Sequence, residues 1–422
     1  MSGWLGDGGG SHGAFDPSML DLADPYPVYR RYRESDPVHA VRPPPAAAGA
    51  RPAPTTWYLF GHAEVARVLT DRGFGRASPS TGGGAIPVPP EYVTLRRVVE
   101  NWLVFLDPPR HTLLRAHVAP PLGAPAVRAL RPRIREIAEE LVRPLERRSS
   151  VELVEHFAAP FPLLVVAGVL GVDADRWPWF RAEALALQQA GGTRGDRSPD
   201  ALDRAERAAR ALDGYFRREL AARRSADRGD LLSALAAAGA ADPSLGADAL
   251  TATCVHLLTA GHETTTGLLG KAVLALLAHP EVAEELRADP GLLPDAVDEF
   301  LRHDPPVQMI TRWAHRDGEL GGRTVRRGDR VQLVLGSAHR DPARFPDPDT
   351  LDIRRDRGRH CAFGLGVHYC VGAALARAEA EIGLGVLLDR LPALRRGARA
   401  RVEVEYAPDW VFHGPSRLTL SC

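Results

Sequence analysis

The chain has 422 residues, of which 45% are hydrophobic and 25% are charged, the proportions of an ordinary globular protein. Its 53 basic and 53 acidic residues balance, which argues against a nucleic-acid-binding surface or a polybasic membrane anchor. The longest apolar stretch, residues 158–172, is shorter than the roughly 20 residues that span a bilayer. The first residues lack the charged start and apolar run of a signal peptide, so we expect a soluble, cytoplasmic protein.

Short elements and loops alternate in the N-terminal part of the chain. Residues 56–60 are predicted to form a strand, and residues 62–70 a short helix. Residues 41–56 and 75–90 are rich in proline or glycine and are predicted to be loops. Long loops in compact domains are often functional, which makes the second of these segments a place to look for binding residues.

Helices dominate from residue 109 onward. Apolar residues recur at helical spacing in five segments, which are residues 133–147, 201–224, 248–278, 294–303 and 370–391. Pro144 is expected to kink the last turn of the first segment. The third segment is apolar nearly all round, as is normal for a helix buried through the core of a large fold. A short strand is predicted at residues 330–335.

No internal repeat and no linker divides this pattern of elements. The sequence therefore predicts one large domain, mainly α with minor β, over residues 15–422. The preceding residues 1–14 are glycine-rich and are predicted to be disordered.

The strongest chemical signal is the segment FGLGVHYCVG at residues 363–372, which a helical pattern follows. Gly364 and Gly366 let the backbone turn tightly and lie close against a flat group. Cys370 precedes the helix, where unpaired N–H groups and the positive end of the helix dipole favour its thiolate. Gly372 leaves room for a large group above the first helical turn.

Two alternative roles for this cysteine compete with a cofactor role. Buried free cysteines are common, and His360, Cys361 and His368 lie near enough in sequence to raise a zinc site, although no second pair of ligands follows. The ten-residue pattern, however, resembles the cysteine loop F-G-x-G-x-H-x-C-x-G of the cytochrome P450 family at every defined position, beginning with Phe363. The resemblance implies that Cys370 is the axial ligand of haem iron, where a thiolate favours O–O cleavage.

A second motif of that family precedes the cysteine. Glu299 and Arg302 match its E-x-x-R helix, in which residues at i and i+3 share one face. In isolation such a pair is usually a surface ion pair. At this distance before Cys370, the resemblance implies a buried charge network beneath the cysteine loop.

The long central helix carries a third motif. The segment AGHETT at residues 260–265 resembles the family's oxygen-activating segment, with Glu263 and Thr264 as the acid–alcohol pair. A threonine within a helix can bond back to the carbonyl four residues earlier, here Ala260, and in many helices that bond is its only role. With Cys370 in place, the resemblance implies that Thr264 relays protons that Glu263 supplies from solvent.

Haem propionates need cationic partners, and arginine suits a carboxylate best. Residues 107–115 match the family's helix that carries two such contacts, His111 and Arg115. Arg312 matches a third contact and His368 a fourth. Any one of these is more often a solvated surface residue, but together they imply one haem b site between the central helix and the cysteine-loop helix.

The resemblance also implies a source of electrons. No flavin or iron–sulfur segment is fused to the chain, so NAD(P)H would reduce the haem through a separate ferredoxin and ferredoxin reductase, for reaction with O2. Arg110, Arg131 and Arg133 are candidates for receiving an acidic ferredoxin.

Residues 98–107, 254–258 and 410–415 resemble the indolocarbazole-pathway P450s that oxidise chromopyrrolic acid. This implies an oxidative aryl–aryl carbon–carbon coupling of a bis-indole dicarboxylate, with a flavin monooxygenase acting later in the pathway. Such a substrate needs hydrogen-bond donors or cations for two carboxylates. The candidates, each of which could equally be structural, are Arg96, Arg97, Asn101, His256, His262, Phe412 and His413.

Three rival functions use the same cysteine loop. Hydroxylation or epoxidation of a macrolide, terpene or peptide would use the same pair Glu263 and Thr264. A haem-binding gas sensor has no use for proton delivery, so the intact acid–alcohol pair argues against it. A fatty-acid peroxygenase is disfavoured for the same reason, since it relies on the carboxylate of its substrate.

Overall fold

The computed structural model describes residues 15–43, 53–79, 88–190, 198–355, 360–396 and 401–421. The predicted disorder of residues 1–14 lies outside these ranges, as do residues 44–52 and 80–87 of the two predicted loops. The helices are α1 Tyr26–Ser35, α2 His62–Thr70, α3 Val93–Glu100, α4 Arg110–Val118, α5 Ala124–Val142, α6 Pro160–Leu170, α7 Trp177–Ala190, α8 Pro199–Ser225, α9 Leu231–Ala241, α10 Ala247–Ala278, α11 Pro280–Ala288, α12 Leu293–His303, α13 Leu335–Ala338, α14 Ala373–Arg390 and α15 Pro392–Arg396. The strands are β1 Val38–Val41, β2 Thr56–Leu59, β3 Phe74–Gly75, β4 Ser150–Glu152, β5 Met309–Ala314, β6 Gly318–Leu320, β7 Arg323–Val325, β8 Arg330–Val334, β9 Arg401–Tyr406 and β10 Pro415–Ser421. The prediction of a mainly α fold with minor β is confirmed.

The central helix α10 is buried over most of its length and packs against α3, α6, α8 and α14. It begins after Gly246, whose φ of +73° suits glycine, and ends at Ala278, two residues before Pro280, the first residue of the next helix. The predicted helices at residues 62–70 and 248–278 agree with α2 and α10 within one residue. Both predictions rest on local patterns, because the apolar spacing lies within each segment and the glycine or proline lies directly beside it.

The helix predicted at residues 133–147 is wrong at both ends. Helix α5 begins nine residues earlier, at Ala124, and continues through Pro132. A proline inside a helix removes one hydrogen bond, which is why the sequence pattern favoured a start after it. Packing against α14 compensates for that loss. Pro144 does not kink the helix but lies in a short 3₁₀ turn that follows it.

The main sheet has five strands in the order β1-β2-β8-β5-β3. Strands β2 and β8 run parallel, and the other neighbours are antiparallel. Because β3 pairs with the end of β5, Gly75 lies opposite Trp313. This pairing brings the start of the loop at residues 75–90 beside Arg312, which is more than 230 residues away in sequence. A three-stranded sheet β4-β10-β9 and the hairpin β6-β7 lie elsewhere.

The E-x-x-R pair forms a closed network in the core. Arg302 donates from Nε and Nη2 to the two carboxylate oxygens of Glu299, each at 2.7 Å. Its other donors reach three backbone carbonyl oxygens at 2.8–3.0 Å, those of His339, Pro348 and Thr350. Glu299 also accepts from the backbone N–H of Asp352 at 2.9 Å and from Arg355 at 3.3 Å.

Lys271 is the only lysine of the sequence and is 4% exposed. Its ammonium group donates to the carboxylate of Asp304 at 2.8 Å and to the carbonyl oxygen of Pro305 at 3.0 Å. These bonds tie α10 to the chain that follows α12. None of the helices in the described ranges is long and apolar enough to cross a membrane.

Candidate active site

The segment at residues 363–372 forms a compact loop before α14. The backbone N–H of Cys370 donates to the carbonyl oxygen of Phe363 at 2.8 Å, which closes the loop. Gly364 and Gly366 both have a φ of +69°, a conformation that side chains disfavour. A Cβ atom on Gly366 would also lie 2.8 Å from the carbonyl oxygen of Leu69, so the loop meets the end of α2.

Gly372 differs from these two glycines. A Cβ atom built on it meets no heavy atom within 4 Å among the described residues, so space is open above the first turn of α14. Its φ of −90° would accept any residue. The conformation of Gly372 therefore does not require glycine, and the open space at this position leaves room for a bulky group beside Cys370.

The thiol of Cys370 is held in its protonated form. Cys370 is exposed as a residue, yet enough protein surrounds the sulfur that burial raises the pKa of its thiol. The Gly372 N–H, Arg115 and Arg377 act in the opposite direction but do not outweigh burial. The expectation that the helix start favours a thiolate agrees with the effect of the Gly372 N–H group, which burial outweighs. A bound metal cation would displace the proton, because coordinating thiols are deprotonated.

Glu263 and Thr264 lie in the part of α10 that is less buried than the rest of the helix. Residues 251–259 are buried, whereas Ala260 is exposed and Glu263 and Thr264 are half-buried. The Thr264 hydroxyl donates to the carbonyl oxygen of Ala260 at 3.3 Å, the back-bond that the sequence predicts. By comparison, Thr266 bonds the carbonyl oxygen of His262 at 2.8 Å. The bond of Thr264 is the longer of the two, so its hydroxyl is the easier to recruit.

Glu379 on α14 is a candidate residue that the sequence reasoning missed. It is 1% exposed, and burial raises the pKa of its carboxyl group well above the usual value, so the group is neutral. A hydrogen bond with Thr265 places it against residues 260–265 of α10. The sequence shows Glu379 at helical spacing from Leu375 and Ile382, but that spacing does not indicate that its carboxyl group is buried against α10.

The four predicted propionate contacts come from three places in the chain, namely α4, β5 and the cysteine loop, and meet in one region. The ring centroids of His111 and His368 are 4.3 Å apart, and His368 Nε2 lies 3.5 Å from a carboxylate oxygen of Asp107. Burial, with the charges of His368 and Arg115, lowers the pKa of His111 to about 4. His111 Nδ1 is buried and has no hydrogen-bond partner among the described residues.

Arginines make this region positive. Burial lowers the pKa of Arg115 and brings that of Arg312 to about 9, but both groups stay charged at neutral pH. Arg115 lies near enough to Cys370 for the two to interact electrostatically. Burial, opposed by hydrogen bonds from His368 and backbone N–H groups, leaves the pKa of Asp107 at about 2. The region therefore combines several cations with one carboxylate.

The candidate substrate residues lie in three places. On α3, Arg96 is half-buried, Arg97 forms ion pairs with Asp213 at 2.9 Å and Asp248 at 2.8 Å, and Asn101 follows the helix. On α10, His262 bonds the carbonyl oxygen of Leu258 at 3.1 Å, while His256 lies beside Trp102 with ring centroids 5.4 Å apart. Near the C-terminal hairpin, His413 stacks on Tyr406 at 5.1 Å and Phe412 bridges Val307.

Comparison with known proteins identifies the family. The cytochrome P450 profile matches residues 200–290 and 291–393. Over 395 residues, the chain is 38% identical to the cytochrome P450 monooxygenase PikC of Streptomyces venezuelae, and the match covers 90% of this chain and 88% of that protein. The chain belongs to the cytochrome P450 family. This P450 is also 33% identical over 388 residues to 6-deoxyerythronolide B hydroxylase of Saccharopolyspora erythraea, covering 89% and 91% of the two chains.

Solved structures agree with this assignment. The fold of this P450 matches that of CxnD, described as the cytochrome P450 enzyme for C–S bond formation in chuangxinmycin biosynthesis. The TM-score is 0.80 at 30% sequence identity, and the match covers 94% of each chain.

Membership of this family implies haem, dioxygen and electrons from a redox partner. The residues present fit haem, because a thiol, open space over Gly372 and a positive cluster with an unpartnered histidine nitrogen lie together. Cys370 would hold the iron, while His111, Arg115, Arg312 and His368 would hold the propionates. Among the described residues, no group of three or more His, Cys, Asp or Glu side chains is arranged to hold a bare metal ion.

The arginines proposed for a ferredoxin have partners within the chain. Arg131 pairs with Glu381 at 2.8 Å and Arg133 with Glu136 at 3.0 Å. Arg110 donates to the side-chain oxygen of Asn101 at 2.7 Å.

Proposed function

We propose that this P450 oxidises a flat aromatic substrate that carries carboxylates, with chromopyrrolic acid as the specific candidate. The reaction is an intramolecular aryl–aryl coupling, in which one carbon–carbon bond forms between two indole rings. The substrate loses two hydrogen atoms as two protons and two electrons, and O2 is the terminal oxidant. Electrons that activate O2 come from NAD(P)H through a ferredoxin and its reductase, and a flavin monooxygenase acts on the product.

The observation that carries this proposal is a group of three aromatic rings, Trp102, Phe105 and His256, which we call the aromatic wall. Two of its buried hydrogen-bonding atoms have no partner among the described residues. Trp102 stacks on Phe105 with ring centroids 5.8 Å apart and an interplanar angle of 11°, and His256 also lies against Trp102. Trp102 Nε1 and His256 Nδ1 are both buried, and neither has a partner among the described residues. A flat aromatic acid satisfies both requirements, since its rings stack and its carboxylates accept hydrogen bonds.

Burial, together with the charge of Arg76, lowers the pKa of His256 to about 4. His256 is therefore neutral at pH 7 and serves a carboxylate as a hydrogen-bond donor rather than as a cation. Proton delivery falls to α10, where the Thr264 hydroxyl can leave the Ala260 carbonyl and Glu263 can supply protons. When bound, haem supplies the oxidising chemistry.

Hydroxylation of a macrolide is the second candidate function. It is favoured by the two relatives, which are named as a monooxygenase and as 6-deoxyerythronolide B hydroxylase. In contrast, the structural neighbour CxnD is named for the formation of a C–S bond, which favours a bond-forming reaction.

A spectral titration of the ferric protein with chromopyrrolic acid separates the two functions. We expect a saturable shift of the Soret band, and turnover to a product lighter by two hydrogen atoms. The dimethyl ester is the matched control ligand, because it keeps the rings and removes the charges, and it should bind at least about tenfold more weakly. A shift with 6-deoxyerythronolide B and none with the diacid would reject the coupling proposal.

A further inference from the structure

Two buried arginines meet at a single carbonyl group. Arg76 is 7% exposed and Arg312 is 3% exposed. Each donates from Nη1 to the carbonyl oxygen of Thr311, at 2.6 Å for Arg76 and 3.1 Å for Arg312. Two like charges therefore share one neutral acceptor in the interior of the protein.

The fold forces this meeting. Strand β3 pairs with the end of β5, so the residue after β3 lies beside Arg312. A Cβ atom on Gly75 would lie 2.1 Å from His315 Cε1 and 2.6 Å from a carboxylate oxygen of Asp107. A larger residue at this position would displace the His315 and Asp107 side chains, and the close passage places Arg76 inside the cluster.

Asp107 acts electrostatically on both arginines but forms no contact ion pair with either guanidinium group. Its carboxylate accepts from the backbone N–H groups of Arg76 at 2.9 Å and Ala77 at 2.8 Å. The Arg76 guanidinium instead donates to the carbonyl oxygens of Val104 and Thr311. Neither guanidinium makes an ion pair at contact distance with a carboxylate of the described residues, and burial lowers the pKa of Arg76 to about 10.

The charge count of the cluster points to a ligand. The two buried guanidinium groups, those of Arg76 and Arg312, contribute two positive charges, and Asp107 contributes one negative charge. The buried excess is one positive charge, and buried charges need partners. One further carboxylate would balance it.

We propose that Arg76 is a carboxylate-binding residue that acts with Arg312 as a pair. Two sources can supply the carboxylate, a haem propionate or an acid group of the substrate. The guanidinium lies over the ring of Phe105 at 5.2 Å and acts electrostatically on His256, which places Arg76 between the propionate contacts and the aromatic wall. The substrate source rests on the proposed function, and the haem source does not.

The experiment compares the holoenzyme with Arg76→Met and with Arg316→Met as control. Arg316 also carries one positive charge and follows β5, but its side chain is 70% exposed and pairs with Asp71. Three quantities are measured, namely the rate of haem transfer to excess apomyoglobin, the midpoint potential, and the affinity for chromopyrrolic acid and its dimethyl ester.

If a propionate is the partner, Arg76→Met speeds haem loss about tenfold or more and lowers the midpoint potential, because a cation near the haem is lost. If the substrate is the partner, haem loss is unchanged, the diacid binds about tenfold more weakly and the ester binds as before. If the wild-type protein does not bind the diacid, the proposed function is wrong. The haem-loss measurement still tests the role of Arg76 in that case.

Arg76→Met values equal to those of Arg316→Met in all three measurements would overturn the proposal. Where Arg76→Met fails to fold with haem, Arg76→Lys replaces it, since lysine keeps the charge but lacks the fork of donors. The proposal then expects haem loss or diacid affinity to change severalfold, and wild-type values would overturn it.

Discussion

The molecule contains two buried arginine clusters whose charges are balanced differently. In the first, Arg302 finds five acceptors, two on Glu299 and three on backbone carbonyls, and its charge is matched within the chain. In the second, Arg76 and Arg312 donate to carbonyl oxygens, and the cluster keeps an excess of positive charge. The first cluster closes on itself and stabilises the fold, whereas the second leaves capacity that an outside anion can use.

Burial alone does not distinguish the two roles, because the arginines of both clusters are buried. The difference lies in whether the chain itself satisfies every donor and charge. A cluster whose donors and charges are all satisfied within the chain is expected to stabilise the fold. A cluster that keeps an unbalanced charge is expected to bind an anion.

The largest effect is expected from breaking the closed cluster. Glu299→Gln keeps the shape of the side chain but leaves the charge of Arg302 buried without its partner. We expect the free energy of unfolding to fall by about 3–5 kcal/mol. Chemical denaturation measures this loss, with Glu285→Gln as control because Glu285 pairs with Arg354 near the surface. A loss below about 1 kcal/mol would show that the first cluster does not carry the fold.

Substitution of the predicted iron ligand should change the haem site and leave the fold intact. Cys370→Ser removes the thiol of Cys370, which is not part of the closed cluster of Arg302. We expect the fold to persist, while the red-shifted Soret band of the reduced carbon monoxide complex disappears. Far-ultraviolet circular dichroism and the carbon monoxide spectrum test both halves, and a retained red-shifted band would reject Cys370 as the ligand.

Acid should act on the two buried histidines near the open cluster, as it should on His303 and His339 beside the closed one. Burial lowers the folded pKa of His111 and His256 to about 4, below an unfolded value of about 6.5. Their contribution to stability is complete above pH 6.5 and is lost as the pH falls through about 4, by up to about 3 kcal/mol for each histidine. Protonation would also add charge to a positive region. The free energy of unfolding should depend less on pH in His256→Gln than in the wild type. In the control His279→Gln, where the replaced side chain is 41% exposed, its pH dependence should be unchanged.

Substitutions at two glycines of the cysteine loop should have different effects, one on the stability of the fold and the other on haem binding. Both effects are expected to be smaller than that of Glu299→Gln. Gly366→Ala forces a side chain onto a φ of +69° and against Leu69, so we expect a loss of about 1–3 kcal/mol in unfolding free energy. Gly372→Ala meets open space, so stability without haem should stay within about 0.5 kcal/mol while haem loss accelerates. Equal effects of the two substitutions on haem-free stability would contradict this difference.

A small effect on stability is also expected at Thr264. Thr264→Ala loses one hydrogen bond of 3.3 Å, so the free energy of unfolding should change by less than about 1 kcal/mol. The amount of product formed per O2 consumed should nevertheless fall severalfold. Oxygen-electrode and product measurements test this, and Thr266→Ala, which lacks a proposed role in the relay, should leave coupling unchanged.

The sequence predicted those features that depend on neighbouring residues. Helix α10 follows from its own apolar pattern, and the loop before Cys370 follows from the glycines within the motif itself. The bounds of α5 were wrong because Pro132 is tolerated only through packing with a helix far along the chain.

Arg76 and Glu379 could not be assigned roles in the same way. Arg76 becomes a site residue only because β3 pairs with β5, which brings it to an acceptor, Thr311, that lies 235 residues away in sequence. Glu379 becomes a neutral carboxyl only because α14 packs against α10. In both residues the chemistry depends on burial, and burial depends on contacts that no local pattern contains.

The single lysine of the chain has a practical consequence. An endoproteinase that cleaves only after lysine has one target bond, between Lys271 and Ala272, inside the buried helix α10. Cleavage therefore requires the central helix to open, and it yields two fragments, residues 1–271 and 272–422. At high protease concentration, where cleavage outpaces reclosing, the rate at which they accumulate measures the opening rate of the helix that carries Thr264; at low concentration it measures the population of the open form.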